Sequence, residues 1–147
     1  MLGPVIKQIL ILLGEFFSLF SVAFRLLYTV RLYVYTGYVS KKANITDRMH
    51  FSIEPTASIG GKRNVYIHSG HIRKFSRVSA IEKYQGSTFT PKIVIGKNVN
   101  IGINTHIGAV NMISIGDNFL TGANCLITDH SHGKFCEEEI LTPPQQP

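Results

Sequence analysis

The sequence predicts an all-β solenoid preceded by an apolar α-helical segment, and three observations carry that expectation. Ile95, Ile101, Ile107, Ile115 and Thr121 are each followed directly by glycine, in IGKNVN, IGINTH, IGAVNM, IGDNFL and TGANCL. At average glycine usage, five such coincidences have a chance on the order of one in a million, so the spacing specifies the fold before any single residue is considered. An asparagine stands two or three places after the glycine, as in Asn98, Asn104, Asn118 and Asn124. The composition also changes abruptly before these repeats, because Pro4 to Tyr38 is almost entirely aliphatic and aromatic.

A period of six matches neither an α-helix nor a simple hairpin. It suits a chain that turns a corner every six residues and closes a triangular coil about every 18. In such a coil Ile95, Ile101, Ile107, Ile115 and Ile127 point inward and stack on their equivalents in the next coil. The glycines are expected to adopt backbone conformations closed to bulkier residues, and the four asparagines are expected at positive φ. Between Ile113 and Ile115 the phase slips by two residues, which a corner loop absorbs. Upstream, Ile53, Ile59 and Val65 keep the six-residue step, whereas Ile67, Ile72 and Val78 step five and then six. Arg73 stands where a strict repeat places an inward aliphatic residue, so the first coils are expected to be irregular, with Tyr84 to Pro91 as a bulging loop.

The amino-terminal segment is not repeat sequence. On a helix, Lys7, Gln8, Gly14, Glu15, Ser18, Ser21, Arg25 and Thr29 fall within one narrow arc, and most of the remainder is aliphatic or Phe. A thin polar stripe suits a helix lying along a membrane surface. Spanning is the competing placement, although the run from Ile9 to Phe24 is slightly short and contains Glu15. A third placement packs the helix on the open first coil as a cap. Arg25, Arg31, Lys41 and Lys42 lie on the carboxyl side of the apolar run, as suits an anionic cytoplasmic leaflet. No basic n-region or small-residue cleavage site accompanies the run, so a cleaved signal peptide is not expected.

With 147 residues, 44% of them hydrophobic, the chain holds one modest domain plus an appendage: residues 1–42 as the helical segment and residues 43–147 as the repeat domain. The net charge of +6 is uneven, since residues 62–97 carry eight Lys or Arg against Glu82 alone, while Asp117 to Glu139 is acidic. That basic stretch suits anionic lipid, the phosphates of a nucleotide or CoA, or simply solvent. No nucleic-acid-binding motif accompanies it, and no nucleic-acid partner is expected. Cys125 and Cys136 form no disulfide or zinc framework; Cys125 falls at an inward position and reads as a buried free thiol in a reducing compartment.

Directly after the last repeat comes LITDHSHGKF, Leu126 to Phe135, which is dense in ionisable groups. Together with the repeats, this segment resembles the hexapeptide-repeat acyltransferases, in particular the galactoside- and maltose-type and polysaccharide O-acetyltransferases. The resemblance implies a left-handed parallel β-helix, acetyl-CoA as co-substrate, a sugar or lipid-linked saccharide acceptor and a homotrimer. It also implies a catalytic histidine four residues after a threonine that ends the coil. Counted from Thr128 that residue is His132, and His130 occupies a position that polysaccharide-type members commonly fill with histidine. His132 then acts as general base on the acceptor hydroxyl, with Asp129 or a backbone carbonyl orienting its ring.

Two other readings of the cluster stay open. In one, Asp129, His130 and His132 are joined by His106 from the preceding coil as metal ligands, as in the carbonic anhydrases on the same scaffold, but no recognised ligand spacing is present and no metal is expected. In the other, the histidines are structural. His50, His68 and His71 read as surface residues of the early coils. The resemblance further implies additional coils after LTPPQQP, so the expectation is either a fragment or interrupted reading frame, or a partner that covers the open end. The expected location is cytoplasmic, peripheral to the inner face of the membrane. The alternative function, from a different class, is a non-catalytic solenoid that binds membrane and partner proteins, or an inactive fragment of such an enzyme.

Overall fold

The computed structural model describes residues 3–84 and 86–130. One long helix leads into short parallel strands arranged in three sheets. Helix α1 (Pro4–Lys42) begins with proline at its first turn, where the missing N–H costs no hydrogen bond, and ends with Lys41 and Lys42 against the negative end of its dipole. Then follow β1 (Asn44–Ile45), β2 (Phe51–Ile53), β3 (Ser58–Gly60), a 3₁₀ turn (Lys62–Asn64), β4 (Val65–Ile67), β5 (Gly70–Ile72) and β6 (Arg77–Ala80). After an antiparallel pair, β7 (Lys83–Tyr84) with β8 (Ser87–Thr88), come β9 (Lys92–Ile95), β10 (Val99–Ile101), β11 (His106–Ala109), β12 (Met112–Ile115) and β13 (Leu126–Thr128).

The chain visits the three sheets in rotation. The first sheet has the order β1-β4-β9-β12, the second β2-β5-β10 and the third β3-β6-β11-β13, all parallel. Between β12 and β13, Leu120 bridges Asn100 and so keeps a place beside the second sheet. Alternation along each strand turns β-branched residues inward, and the registers stack them in three columns. Ile45, Ile67, Ile95 and Ile115 form the first, Ile53, Ile72 and Ile101 the second, and Ile59, Val78, Ile107 and Ile127 the third. All but Ile127 are buried, each contributing roughly 1.5–3 kcal/mol relative to an exposed side chain. Ile127 packs on the core but is half-buried, because β13 is the outermost described strand of its sheet.

Three expectations need correction. The first concerns the repeat glycines. Asn98, Asn104, Asn118 and Asn124 do have positive φ, between 52° and 58°, but Gly96, Gly102, Gly108, Gly116 and Gly122 do not. Space between circuits accounts for two of them: a Cβ on Gly96 would lie 2.3 Å from Asp117 Oδ1, and one on Gly102 would lie 1.9 Å from the Gly122 carbonyl oxygen. The second concerns the early strands, which stack in register with the later ones, the irregularity being confined to the corner between Ile67 and Gly70 and to the excursion that follows β6. Ile72 takes the inward place and Arg73 is exposed, while the expected loop from Tyr84 contains the exposed β7–β8 pair. The third is Cys125, which is half-buried where full burial was expected, again at the outermost described edge. Cys136 lies outside the described residues.

The two ends of α1 have different environments. Thr36, Val39 and Ser40 are buried against β1 and β2, Thr36 Oγ1 accepts from the Ile53 amide at 3.1 Å, and the Tyr35 hydroxyl donates to the Ala57 carbonyl at 2.9 Å. The foot of the helix therefore caps the first circuit, as one of the three placements required. Upstream, the helix is long and apolar enough to cross a membrane, and none of its most apolar window is buried. Phe16, Phe17, Leu19, Phe24, Leu26 and Leu27 are all exposed.

Candidate functional site

The third sheet brings the candidate residues together through its register. Gly108 of β11 faces Thr128 of β13, and His106, two residues before Gly108, lies beside Arg77 of β6 and Leu126 of β13. Strand β13 ends at Thr128, and the chain then folds so that the Thr128 hydroxyl contacts His130 Nδ1 at 2.8 Å and accepts from the His130 amide at 3.3 Å. This short-range tether holds the His130 imidazole over the sheet. A Cβ on Gly108 would lie 3.4 Å from His106 Nε2 and 3.5 Å from His130 Cε1, so the two imidazoles flank one bare glycine. Glycine here keeps the space between the rings open.

Asp129 faces the other way. Its Oδ1 accepts the Val110 amide and its Oδ2 the Asn111 amide, both at 2.9 Å, so the carboxylate clamps the corner between β11 and β12. Oδ1 also lies 3.2 Å from His130 Nδ1. Burial works against this charge, but the amides of Val110 and Asn111, then His130, then the Met112 amide outweigh it and hold the carboxyl below its ordinary value. Among the described residues Asp129 thus orients His130 and the corner.

Replacing Asp129 with Asn is expected to cost about 1–3 kcal/mol, since one amide loses a charged acceptor. Because the folded value is depressed, the stabilisation is full above about pH 4 and disappears as pH falls through the folded value. Urea titrations at neutral and acid pH check both points: the variant should lie below the parent at neutrality and converge with it in acid.

His106 has the opposite tendency. Burial first, then the positive charges of Arg77 and His130, push its imidazole below the ordinary histidine value. It is therefore neutral at physiological pH, with a lone pair available, and its Nε2 is buried without a hydrogen-bond partner. A neutral imidazole beside a second one is suited to receive or relay a proton. Among the described residues no three His, Cys, Asp or Glu side chains are grouped as a metal site.

Of the residues expected from sequence, His130 and Asp129 are in this cluster, and His106 joins them as a facing imidazole. His132, the expected base, lies outside the described residues. Gly108 and Arg77 carried no functional expectation, and the signal that identifies them is the pairing of β11 with β6 and β13. His50 and His71 are exposed, as expected, and with the half-buried His68 they line one cavity of about 400 Å³ beneath α1, where the His68 Nδ1 is buried and unpartnered. No protein-family model, curated protein or solved structure matches the chain.

Proposed function

We propose that the chain is an acyl-CoA-dependent O-acetyltransferase built on a left-handed parallel β-helix of hexapeptide repeats, acting on a sugar hydroxyl of a surface polysaccharide or its lipid-linked precursor. The observation that carries this reading is the return of the Thr128–His130 segment over Gly108, beside the neutral imidazole of His106. It brings a histidine-bearing segment back against a second imidazole across one glycine, at the end of a strand.

In this reading the acceptor hydroxyl attacks the thioester carbonyl as His132 takes its proton. The tetrahedral intermediate then collapses with cleavage of the C–S bond, and the proton passes to the departing CoA thiolate. His130 is the neighbouring imidazole, and His106 keeps the adjacent face uncharged. Acetyl-CoA is the co-substrate, a homotrimer is the working assembly, and no resident metal is required. Residues 1–42 form the membrane-associated segment and residues 43–147 the acyltransferase domain, peripheral to the cytoplasmic face of the membrane. The apolar, uncovered length of α1 supports that placement, which keeps the enzyme near a lipid-linked acceptor.

The test is acceptor-dependent release of CoA thiol from acetyl-CoA. Sugar-stimulated release is expected. A folded chain that neither binds acetyl-CoA nor releases CoA with any mono- or oligosaccharide tried would favour the non-catalytic alternative.

A further inference from the structure

Two cavities run side by side between α1 and the second sheet. One, of about 400 Å³, lies among His50, His68, His71, Lys97 and Tyr33; the other, of about 280 Å³, lies among Tyr28, Leu32, Glu54 and Arg73. They share Tyr33, Ser52 and His71, and so form one groove with two differing ends. The end against the helix sets Tyr28, Leu32 and Tyr33 beside Glu54 and Arg73. The end against the sheet corner carries three imidazoles and an ammonium group. We propose that this groove binds a phosphate group carried by a membrane lipid, its acyl portion lying along α1.

The carboxylates in the groove are already engaged. Asp47 Oδ2 lies 2.9 Å from His50 Nδ1 and its Oδ1 accepts the His50 amide at 3.2 Å, while Glu54 accepts the Tyr28 hydroxyl. The cations are not neutralised in this way: Arg73 contacts only the amide oxygen of Asn100, at 3.5 Å, and neither Arg73 nor Lys97 forms an ion pair with a described residue. His71 Nδ1 meets Ser52 Oγ at 2.6 Å, whereas His68 Nδ1 is buried with no partner at all. A ring nitrogen buried beside the larger cavity, with Lys97 lining that cavity and Arg73 the adjoining one, belongs to a donor set suited to the oxygens of a phosphate. A neutral sugar has no use for the two unpaired cations, and no three-residue metal group exists among the described residues.

Depth along the helix argues that the phosphate belongs to a lipid. Counting 1.5 Å per residue, Tyr28 and Tyr33 lie about 5 and 12 Å beyond Arg25, which closes the apolar run. A bilayer's polar layer begins where such a run ends, and tyrosine is enriched there. The groove therefore opens at headgroup depth when α1 crosses the membrane, the placement that its length and composition allow. The inference rests on the membrane association proposed above, and does not depend on acetyl transfer.

The experiment measures partition of the full chain onto vesicles of phosphatidylcholine with and without a minor fraction of phosphatidic acid. Three proteins are compared: the parent, Arg73→Gln/Lys97→Gln, and Lys62→Gln/Arg63→Gln. The last removes equal charge from another basic recess, which lies beside the 3₁₀ turn. All three should bind neutral vesicles alike. Phosphatidic acid should raise parent binding on the order of tenfold, a gain lost in the groove variant and largely kept in the control. Equal losses in both variants would reduce the effect to general surface charge and overturn the site, as would a parent that gains nothing. A parent that ignores neutral vesicles would sink the membrane reading on its own. Where phosphatidic acid gives the parent no gain, calorimetry with inorganic phosphate decides the groove: binding abolished by Arg73→Gln/Lys97→Gln would identify a soluble phosphate ligand in place of a lipid, and no binding would remove the site altogether.

Discussion

Replacing Gly70 with alanine is expected to destabilise the fold by at least about 3 kcal/mol, with loss of pairing between β5 and its neighbours. Gly70 has φ +131°, a conformation side chains rarely adopt, and a Cβ there would lie 1.9 Å from the Val99 carbonyl oxygen and 2.7 Å from the Val99 amide nitrogen. Both are backbone atoms of the paired strand β10, which cannot swing aside as a side chain would. The cause lies in the corner before it. Ile67 pairs with Ile95 and Gly70 with Val99, so the corner leading to β5 is one residue shorter than the corner stacked on it. The shorter corner brings the two backbones together, and the Ser69 hydroxyl fills the gap by accepting the Asn98 amide at 3.0 Å.

Gly116→Ala provides the contrast. No described atom lies within 4 Å of its would-be Cβ and its φ is ordinary, so the change should stay within about 0.5 kcal/mol. Urea unfolding of the two variants decides the matter, and equal losses would refute the steric account.

These two glycines also mark where sequence reading stops. The inward columns of isoleucine were legible because the six-residue period is itself a backbone repeat, and asparagine after each corner signals positive φ through its own chemistry. The reason for the repeat glycines was not legible, because Gly102 is forbidden a side chain by Gly122, a residue of the next circuit, and that pairing depends on register. The same limit hid the approach of His106 and His130. The phase slip is absorbed at the corner between β11 and β12 and not between Ile113 and Ile115, which share strand β12; it moves Thr128 opposite Gly108, and without that register the two histidines are only neighbours by family analogy. The helix posed a different difficulty. An almost uniformly apolar stretch has too weak a periodicity to reveal that Thr36, Val39 and Ser40 are the buried positions while the phenylalanines upstream are exposed. His50, His68 and His71 looked unrelated in sequence because the cavity that joins them lies at a corner between two sheets and under the helix.

In the acetyl-transfer reading, His132→Ala is expected to lower kcat by about 10² to 10⁴, the usual contribution of a positioned general base. Affinity for acetyl-CoA should change little, because the imidazole acts on the acceptor hydroxyl and makes no contact with the CoA phosphates. His130→Ala should cost less. Its Nδ1 is engaged by the Thr128 hydroxyl and lies 3.2 Å from Asp129, an arrangement that ties His130 to the end of β13. Loss of that tether acts through geometry, so Thr128→Val should reproduce much of the His130→Ala defect without removing any imidazole. His106 separates the roles further. Burial, then Arg77 and His130, hold its pKa below the ordinary histidine value, so it takes up a proton at lower pH than an ordinary histidine would, and removing it should shift the acidic limb of the rate profile less than removing the base. A larger rate loss at His130 than at His132, with no comparable loss in Thr128→Val, would place the base two residues earlier, over Gly108 and facing His106.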